Sequence, residues 1–240
     1  MTVETDVAAV STPPEQRVLL SNSTWETYER LLAENVESLG TRFAYDEGML
    51  EIMIVSAGHE SPNRTLAVLV ELVGAELRKD VHPAGSVTLK RKDLEKGFEP
   101  DSCFYFRNVE RMRKKDEIDL ASDPPPDLVI EVDITRSSLD RFRIFGAVGV
   151  PEVWRYDGEQ VLMYLLDQAV YTESSGECRA ATSHGGTSES VRRAKPAPKE
   201  VRMGGRRARM GTAISVLNSY PPSSLFHKDT RGCRTPISDR

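Results

Sequence analysis

The sequence predicts an α/β or α+β domain in which a central mixed β-sheet is flanked by helices. Helical and strand periodicities alternate along most of the chain in the order helix, hairpin, helix, strands, helix, hairpin. The 240 residues suit one domain with tails, and 39% hydrophobic with 29% charged residues is a globular composition. No apolar run approaches the roughly 20 residues of a membrane span.

The first predicted elements are two helices with a hairpin between them. A helix is predicted in STWETYERLLAENVESL, where Ser23 and Glu26 have capping-box spacing. The next segment, RFAYDEGMLEIMIV, predicts a hairpin that turns at DEG. The second helix is predicted in SPNRTLAVLVELVGAELRK, with Ser61 as its N-cap.

The later elements complete the predicted sheet. Strands are predicted in GSVTLKRK, GFEPDSCFYF and DLVIEVDI, with a charged connector before the last of them. A short helix, SSLDRFRIFGAV, follows. The last element is a hairpin, EVWRYDGEQVLMYLL, that turns at Asp157 and Gly158.

The two ends of the chain differ from its middle. We predict a mobile lead-in over residues 1–17 and a folded domain over residues 18–172. From residue 174 onward the chain has no regular period and carries 13 Lys/Arg against 5 Asp/Glu, whereas the first 173 residues carry 19 against 32. Two interpretations of residues 173–240 stay open: a basic disordered tail that contacts nucleic acid, or a segment from another reading frame.

The N-terminal sequence and the cysteines indicate the cellular compartment of the protein. The N-terminal sequence lacks the basic region and the apolar core of a secretory signal. Cys103, Cys178 and Cys233 have neither disulfide nor metal-site spacing, which is typical of a reducing compartment. We therefore expect a cytoplasmic protein without a membrane partner.

Acidic residues in two predicted strands are the main candidates for a functional site. Alternation places Asp101 on one face of its strand, and it places Glu131 and Asp133 together on a face of theirs. If the strands are adjacent, Asp101 and Glu131 converge, and their repulsion favours a divalent cation such as Mg²⁺ between them. The alternative is that strand-end acids are solvated or cap a helix. Glu131 fits it poorly, because burial in mid-strand costs several kcal/mol unless the acid is paired.

A weaker candidate lies at the start of the second helix. His59 and Glu60 precede the predicted N-cap. We expect His59 to be a cap or a surface residue.

Three motifs resemble one protein family. Glu99–Asp101 in EPD, then PDLVIEVDITRSSLDRF, then GVPEVWRYDG, are similar to the Uma-type endonuclease family of the PD-(D/E)XK restriction-endonuclease-like superfamily. The resemblance covers roughly residues 18 to 172. It implies a restriction-endonuclease-like core, a Mg²⁺ or Mn²⁺ cofactor, a DNA partner and a possible homodimer. It also implies that Asp101 and Glu131 are catalytic metal ligands.

The sequence departs from the superfamily pattern at one position. The lysine expected two residues after the second acid is Asp133 here. In the resembling family a lysine commonly lies on the next helix, at the position of Arg141. An arginine there can bind a phosphate or stabilise a charged transition state, but it cannot readily act as a base. The alternative is a solvated Arg141 that pairs with Asp140 or Glu152.

Two functions follow from these observations. The first is a Mg²⁺-dependent nuclease that hydrolyses DNA phosphodiester bonds, with Asp101, Glu131 and Arg141 as catalytic residues and Arg141 also contacting substrate. The second is an inactive relative of the same fold that binds nucleic acid or protein, which the missing motif lysine favours. A third interpretation is a truncated, unstable product.

Overall fold

In a computed structural model of the chain, the described residues form a six-stranded β-sheet, a five-stranded β-sheet, a separate pair of strands and four α-helices. The structure describes residues 15–36, 38, 40–135, 139–174, 200–203 and 206–209. The helices are α1 (Trp25–Glu34), α2 (Ala57–Glu76), α3 (Val109–Met112) and α4 (Arg141–Val148), and a 3₁₀ turn spans Lys92–Leu94. The strands are β1 (Glu15–Leu20), β2 (Thr41–Asp46), β3 (Met49–Val55), β4 (His82–Gly85), β5 (Leu89–Arg91), β6 (Lys96–Phe98), β7 (Ser102–Tyr105), β8 (Leu128–Val132), β9 (Glu152–Tyr156), β10 (Val161–Asp167), β11 (Val170–Glu173), β12 (Glu200–Met203) and β13 (Arg206–Arg209).

The larger sheet is mixed and has six strands in the order β11-β10-β9-β8-β7-β4. Its strands β8 and β9 run parallel, with α4 as the crossover between them, and its other neighbours run antiparallel. The second sheet has five strands in the order β1-β3-β2-β6-β5, all antiparallel. Strands β12 and β13 pair only with each other among the described residues.

Helices cover both faces of the mixed sheet. On one face, the apolar stripe of α2, which includes Leu66 and Val70, packs against Ile130 of β8. On the other face, Phe145 of α4 packs in a second cluster with Val129 of β8. The predicted central mixed sheet with flanking helices is therefore confirmed.

Both predicted hairpins are present. Strands β2 and β3 turn at Glu47 and Gly48, which have φ angles of 45° and 94°. Strands β9 and β10 pair around a turn that includes Gly158, with φ 95°. The left-handed φ that these turns need explains why glycine occupies each of them.

The predicted elements differ from the observed ones in several places. The N-cap of α1 is Thr24, whose hydroxyl accepts a hydrogen bond from Thr27 N. Helix α2 begins at Ala57 with Ser56 as N-cap, so Pro62 lies inside the helix. Strands β4 and β11 and helix α3 were not predicted. The segment predicted as one strand, GFEPDSCFYF, is split between β6 and β7, which belong to different sheets.

The predicted lead-in is wrong for residues 15–17, because β1 begins at Glu15 and pairs with β3. Residues 1–14 lie outside the described residues, as does most of the predicted tail. Within that tail, Glu200–Met203 and Arg206–Arg209 are strands. In the described ranges, no helix combines the length and apolarity that crossing a bilayer requires.

Candidate active site

The two predicted acids lie beside each other where β7 and β8 pair. Ser102 faces Ile130 in antiparallel register, so the next step of the same register sets Asp101 against Glu131. Both acidic side chains are buried. Asp101 Oδ2 accepts a 2.8 Å hydrogen bond from the backbone N–H of Val132, the residue after Glu131. The structure thus brings the two acids together, while their role as metal ligands stays a prediction.

The EPD segment forms the crossing from the five-stranded sheet to the mixed sheet. Glu99 Oε2 accepts a 2.9 Å hydrogen bond from the backbone N–H of Phe43, and its Oε1 accepts a 2.7 Å hydrogen bond from the Thr88 hydroxyl. Pro100 follows and has no N–H to continue the β6 ladder. Glu99 therefore anchors the crossing, and Asp101 is fixed at the entry to β7.

Arg141, the first residue of α4, joins two buried glutamates. Its Nη1 donates to Glu131 Oε2 at 3.2 Å, and its Nη2 donates to Glu51 Oε2 at 3.1 Å. The side chain is only 7% exposed. The alternative of a solvated Arg141 paired with Asp140 or Glu152 is therefore wrong.

A second arginine, Arg17 of β1, contacts three carboxylates. Its Nη1 donates to Glu51 Oε2 at 2.9 Å, and its Nη2 donates to Glu15 Oε2 at 3.1 Å and to Asp133 Oδ1 at 3.4 Å. Glu15 Oε1 also accepts a 2.7 Å hydrogen bond from the backbone N–H of Thr135. Through Arg17 and Glu15, strand β1 therefore contacts both the other acids and the residues that follow β8.

His59 is completely buried among the same acids, so its predicted role as a cap or surface residue is wrong. Because α2 begins before His59, the ring lies in the first turn of the helix and faces the end of β8. Its Nε2 lies 2.9 Å from the carbonyl oxygen of Val132, 3.3 Å from Asp101 Oδ2 and 3.5 Å from Glu15 Oε2. Burial alone would lower the pKa of His59, but Asp101 and Glu15 raise it above its ordinary value.

Glu131 is the acid with the most perturbed environment. Burial raises its pKa to about 8, and the nearby Asp101 carboxylate raises it as well, whereas Arg141 and Arg17 act in the opposite direction. Its Oε1 is buried and has no hydrogen-bond partner among the described residues. A buried carboxylate oxygen without a donor is uncommon in folded proteins and is a candidate ligand atom.

The buried acid cluster has more carboxylates than cations among the described residues. Its carboxylates belong to Glu15, Glu51, Asp101, Glu131 and Asp133, and its cationic partners are Arg17, His59, Arg141 and Arg155. A proton on Glu131 or a bound cation can balance the excess.

The cluster fits a divalent ion in one restricted way. Among the described residues, no three His, Cys, Asp or Glu side chains are arranged to hold a metal by themselves. Mg²⁺ often takes only one or two carboxylates and completes its shell with water and substrate oxygens. The residues therefore fit Mg²⁺ or Mn²⁺ only as a site with two protein ligands, Asp101 and Glu131. The unpartnered Oε1 of Glu131 is the oxygen atom that would ligate the ion.

Sequence reasoning missed several members of this cluster. Glu51 carries the same signal as Glu131, an acid in the middle of an apolar strand, and that signal could have found it. Glu15 and Arg17 lie in six residues of strand that precede any regular pattern, and no signal marks them. Arg155 occupies an ordinary alternating position, and only its pairing with Glu131 in the β8–β9 register places it here.

A comparison with known protein families agrees with the motifs of the sequence. No curated protein matches the chain. A solved structure titled as a putative nuclease belonging to DUF820 from Anabaena variabilis is similar at 16% identity, with a TM-score of 0.41, over 55% of this chain and 75% of that one. A family model described as "Uma2: Putative restriction endonuclease" matches residues 25–185, more than half of the chain. The protein therefore belongs to the Uma2 family of restriction-endonuclease relatives.

Proposed function

We propose that the protein is a Mg²⁺- or Mn²⁺-dependent nuclease that hydrolyses DNA phosphodiester bonds. The observation that supports this most directly is the pairing of two buried acids, Asp101 and Glu131, one of which has an unpartnered carboxylate oxygen. Membership of a family of restriction-endonuclease relatives supports a nucleic-acid substrate.

Asp101 and Glu131 would hold the divalent ion in this proposal. A bound ion of this kind lowers the pKa of its water and stabilises the charge that develops on a phosphodiester. Asp101 is pre-oriented by the Val132 N–H, which donates to its Oδ2. Glu131 is held by Arg141 through one oxygen only, so its other oxygen can serve as a ligand without moving the guanidinium.

Arg141 would act electrostatically and not as a base. Burial opposes its charge, but Glu131 and Glu51 raise its pKa well above the ordinary arginine value. It therefore remains a cation that can stabilise charge on the phosphate. Asp133, at the position of the motif lysine, forms an ion pair of 2.6 Å with Arg155 and is no substitute for a lysine base.

Cleavage assays on the full chain test the proposal. Wild-type protein is expected to nick or degrade plasmid DNA with Mg²⁺ or Mn²⁺ and to be inactive in EDTA. Asp101→Asn and Glu131→Gln should each reduce the rate by about a hundredfold or more. Glu71→Gln, an exposed acid on α2, is the control and should keep the wild-type rate. Equal rates in all of these variants would disprove the assignment.

A second candidate function is a non-catalytic nucleic-acid-binding module of the same fold. One observation favours it: the carboxylates of Glu51 and Glu131 already pair with Arg141, and that of Glu51 also pairs with Arg17. Such a module would bind DNA in gel-shift assays equally well with Mg²⁺ and with EDTA. It would show no cleavage under either condition.

A further inference from the structure

A pocket of about 160 Å³ opens beside Glu131 on the side of α4. Three arginines, Arg17, Arg141 and Arg155, line it, and apolar residues such as Phe145 line it elsewhere. Arginine is the side chain best suited to bind the oxygens of a phosphate group, because its guanidinium presents several N–H donors in one plane. The pocket therefore has the composition of an oxyanion site.

Two of these arginines have a buried donor without a partner. Arg17 uses its terminal nitrogens on carboxylates, but its Nε–H has no partner among the described residues, although the side chain is only 8% exposed. Arg155 Nη2 forms an ion pair with Asp133 Oδ2, and the buried Nε–H of Arg155 likewise has no partner among the described residues. Buried N–H groups are nearly always paired in folded proteins, so two such donors beside one pocket indicate an acceptor ligand.

The charges around the pocket set a condition on that ligand. The carboxylates of Glu131, Asp133 and Asp140 line the same pocket as the three arginines. An anion alone would be repelled by these carboxylates, and a divalent cation alone would be repelled by the guanidiniums. An anion and a cation that bind together avoid both penalties, so their binding should be cooperative.

We propose that this pocket is an oxyanion site in which Arg17 and Arg155 bind a phosphate group of the substrate, together with a divalent ion at Glu131. The proposal rests on the proposed nuclease function, which supplies the class of ligand. Arg17 comes from β1, which ends at Leu20, whereas the family match begins at residue 25. The N-terminal strand thus extends the active site beyond the matched region.

Kinetics of Arg155→Gln test the role of the pocket in substrate binding. The variant is expected to raise KM for DNA about tenfold with little change in kcat, because it removes charge-assisted hydrogen bonds to a bound phosphate. Arg155→Lys should recover part of the loss, and the salt dependence of KM should weaken by about one counterion in Arg155→Gln. The matched control is Arg64→Gln on the exposed face of α2, which should behave as wild type. A folded Arg155→Gln with unchanged KM would overturn the proposal. Arg155 is a better position for this test than Arg17, because Arg17 contacts three buried carboxylates and its loss would also destabilise the fold.

A binding assay separates this proposal from the nuclease itself. Inorganic phosphate, titrated into the full-length protein by calorimetry, should bind more tightly with Mg²⁺ than with EDTA and should lose most of its affinity in Arg155→Gln. Phosphate affinity that is independent of Mg²⁺ or of Arg155 would contradict the oxyanion site. A wild-type protein that cleaves no DNA but shows Arg155-dependent phosphate binding would disprove the nuclease and support the site.

Discussion

Glu131 combines two properties that a purely structural acid does not need: an oxygen without a donor and a pKa raised to about 8. Its neighbours are also charged, and each is held by more than one contact. Arg17 contacts Glu15, Glu51 and Asp133. At the residue scale, the cost of burying these charges is offset by their mutual pairing.

The stability of the metal-free protein should fall as pH rises from about 5 to 8. In this range the folded state keeps a proton on Glu131 that the unfolded chain, with a carboxyl pKa near ~4.3, has released. The raised pKa of His59 acts in the same direction. We expect Glu131 to contribute a slope on the order of 1 kcal/mol per pH unit, which Glu131→Gln removes.

Urea denaturation in EDTA at several pH values measures this slope. Glu131→Gln should show a flatter dependence than wild type, and its advantage should grow towards pH 8. Glu152, whose pKa burial raises to about 7, titrates in both proteins and cancels in the comparison. Parallel curves would show that Glu131 is ionised in the folded state as well as in the unfolded state.

Removal of Arg141 should be strongly destabilising. Arg141→Met leaves Glu131 without its hydrogen-bond donor and Glu51 with Arg17 as its remaining arginine. Loss of one partner of a buried ion pair typically costs about 3–5 kcal/mol. Arg141→Lys should lose less stability than Arg141→Met, because lysine keeps the positive charge. Some loss should remain, because lysine lacks the guanidinium that contacts both glutamates. Arg64→Met on the protein surface should change the free energy of unfolding by less than about 0.5 kcal/mol, and an equal loss in both proteins would contradict the proposed pairing.

At the scale of elements, the five-stranded sheet presents Glu51, Glu15 and Arg17 to the mixed sheet. Helix α1 covers its other face through Trp25 and Tyr28, which pack against Tyr45 of β2 with ring centroids 5.5 and 5.3 Å away. This packing depends on a very close approach between Tyr28 and the backbone of β6.

Gly97 of β6 is the point of that approach. A Cβ at this position would lie 2.3 Å from the Tyr28 hydroxyl oxygen and 2.5 Å from a ring carbon, so Gly97→Ala must displace α1 or β6. We expect a loss of about 1–3 kcal/mol in the free energy of unfolding. Gly40→Ala is the control, because its nearest contact would be at an ordinary 3.9 Å. Urea titrations of the two variants compare them directly, and equal stabilities would show that α1 can shift freely.

At the scale of the whole molecule, the two sheets share both a hydrophobic cluster and the acid cluster. Leu89 and Phe98 of the five-stranded sheet pack in one cluster with Val129 and Phe145 of the mixed-sheet side. The ion pairs of Arg141 add a second connection between the sheets. We infer that the two sheets form one cooperative unit.

The two tryptophans allow a direct test of this cooperativity. Trp25 lies against the five-stranded sheet and Trp154 lies in the mixed sheet, and both are buried. Single-tryptophan variants Trp25→Phe and Trp154→Phe should each unfold in urea with a fluorescence transition that coincides with the circular dichroism transition of the same variant. Separate midpoints for the two probes would show that the sheets unfold independently.

The sequence predicted the regular elements well because their signals are local. Alternation identified the strands around Asp101 and Glu131, and turn chemistry located both hairpins. It did not predict that β6 and β7 belong to different sheets, because strand pairing depends on partners far along the chain. It also predicted His59 to be a cap or a surface residue, since the helix start was predicted after that residue.

The sequence by itself determined the fold class, the family motifs and the two acids that pair across β7 and β8. Only the tertiary structure decided which charges surround those acids. Arg17 and Asp133 contact each other across 116 positions of sequence, and Arg141 reaches Glu51 across 90. Hydrophobic periodicity reports which face of one element is buried, whereas the pairing of buried charges depends on how separate elements pack.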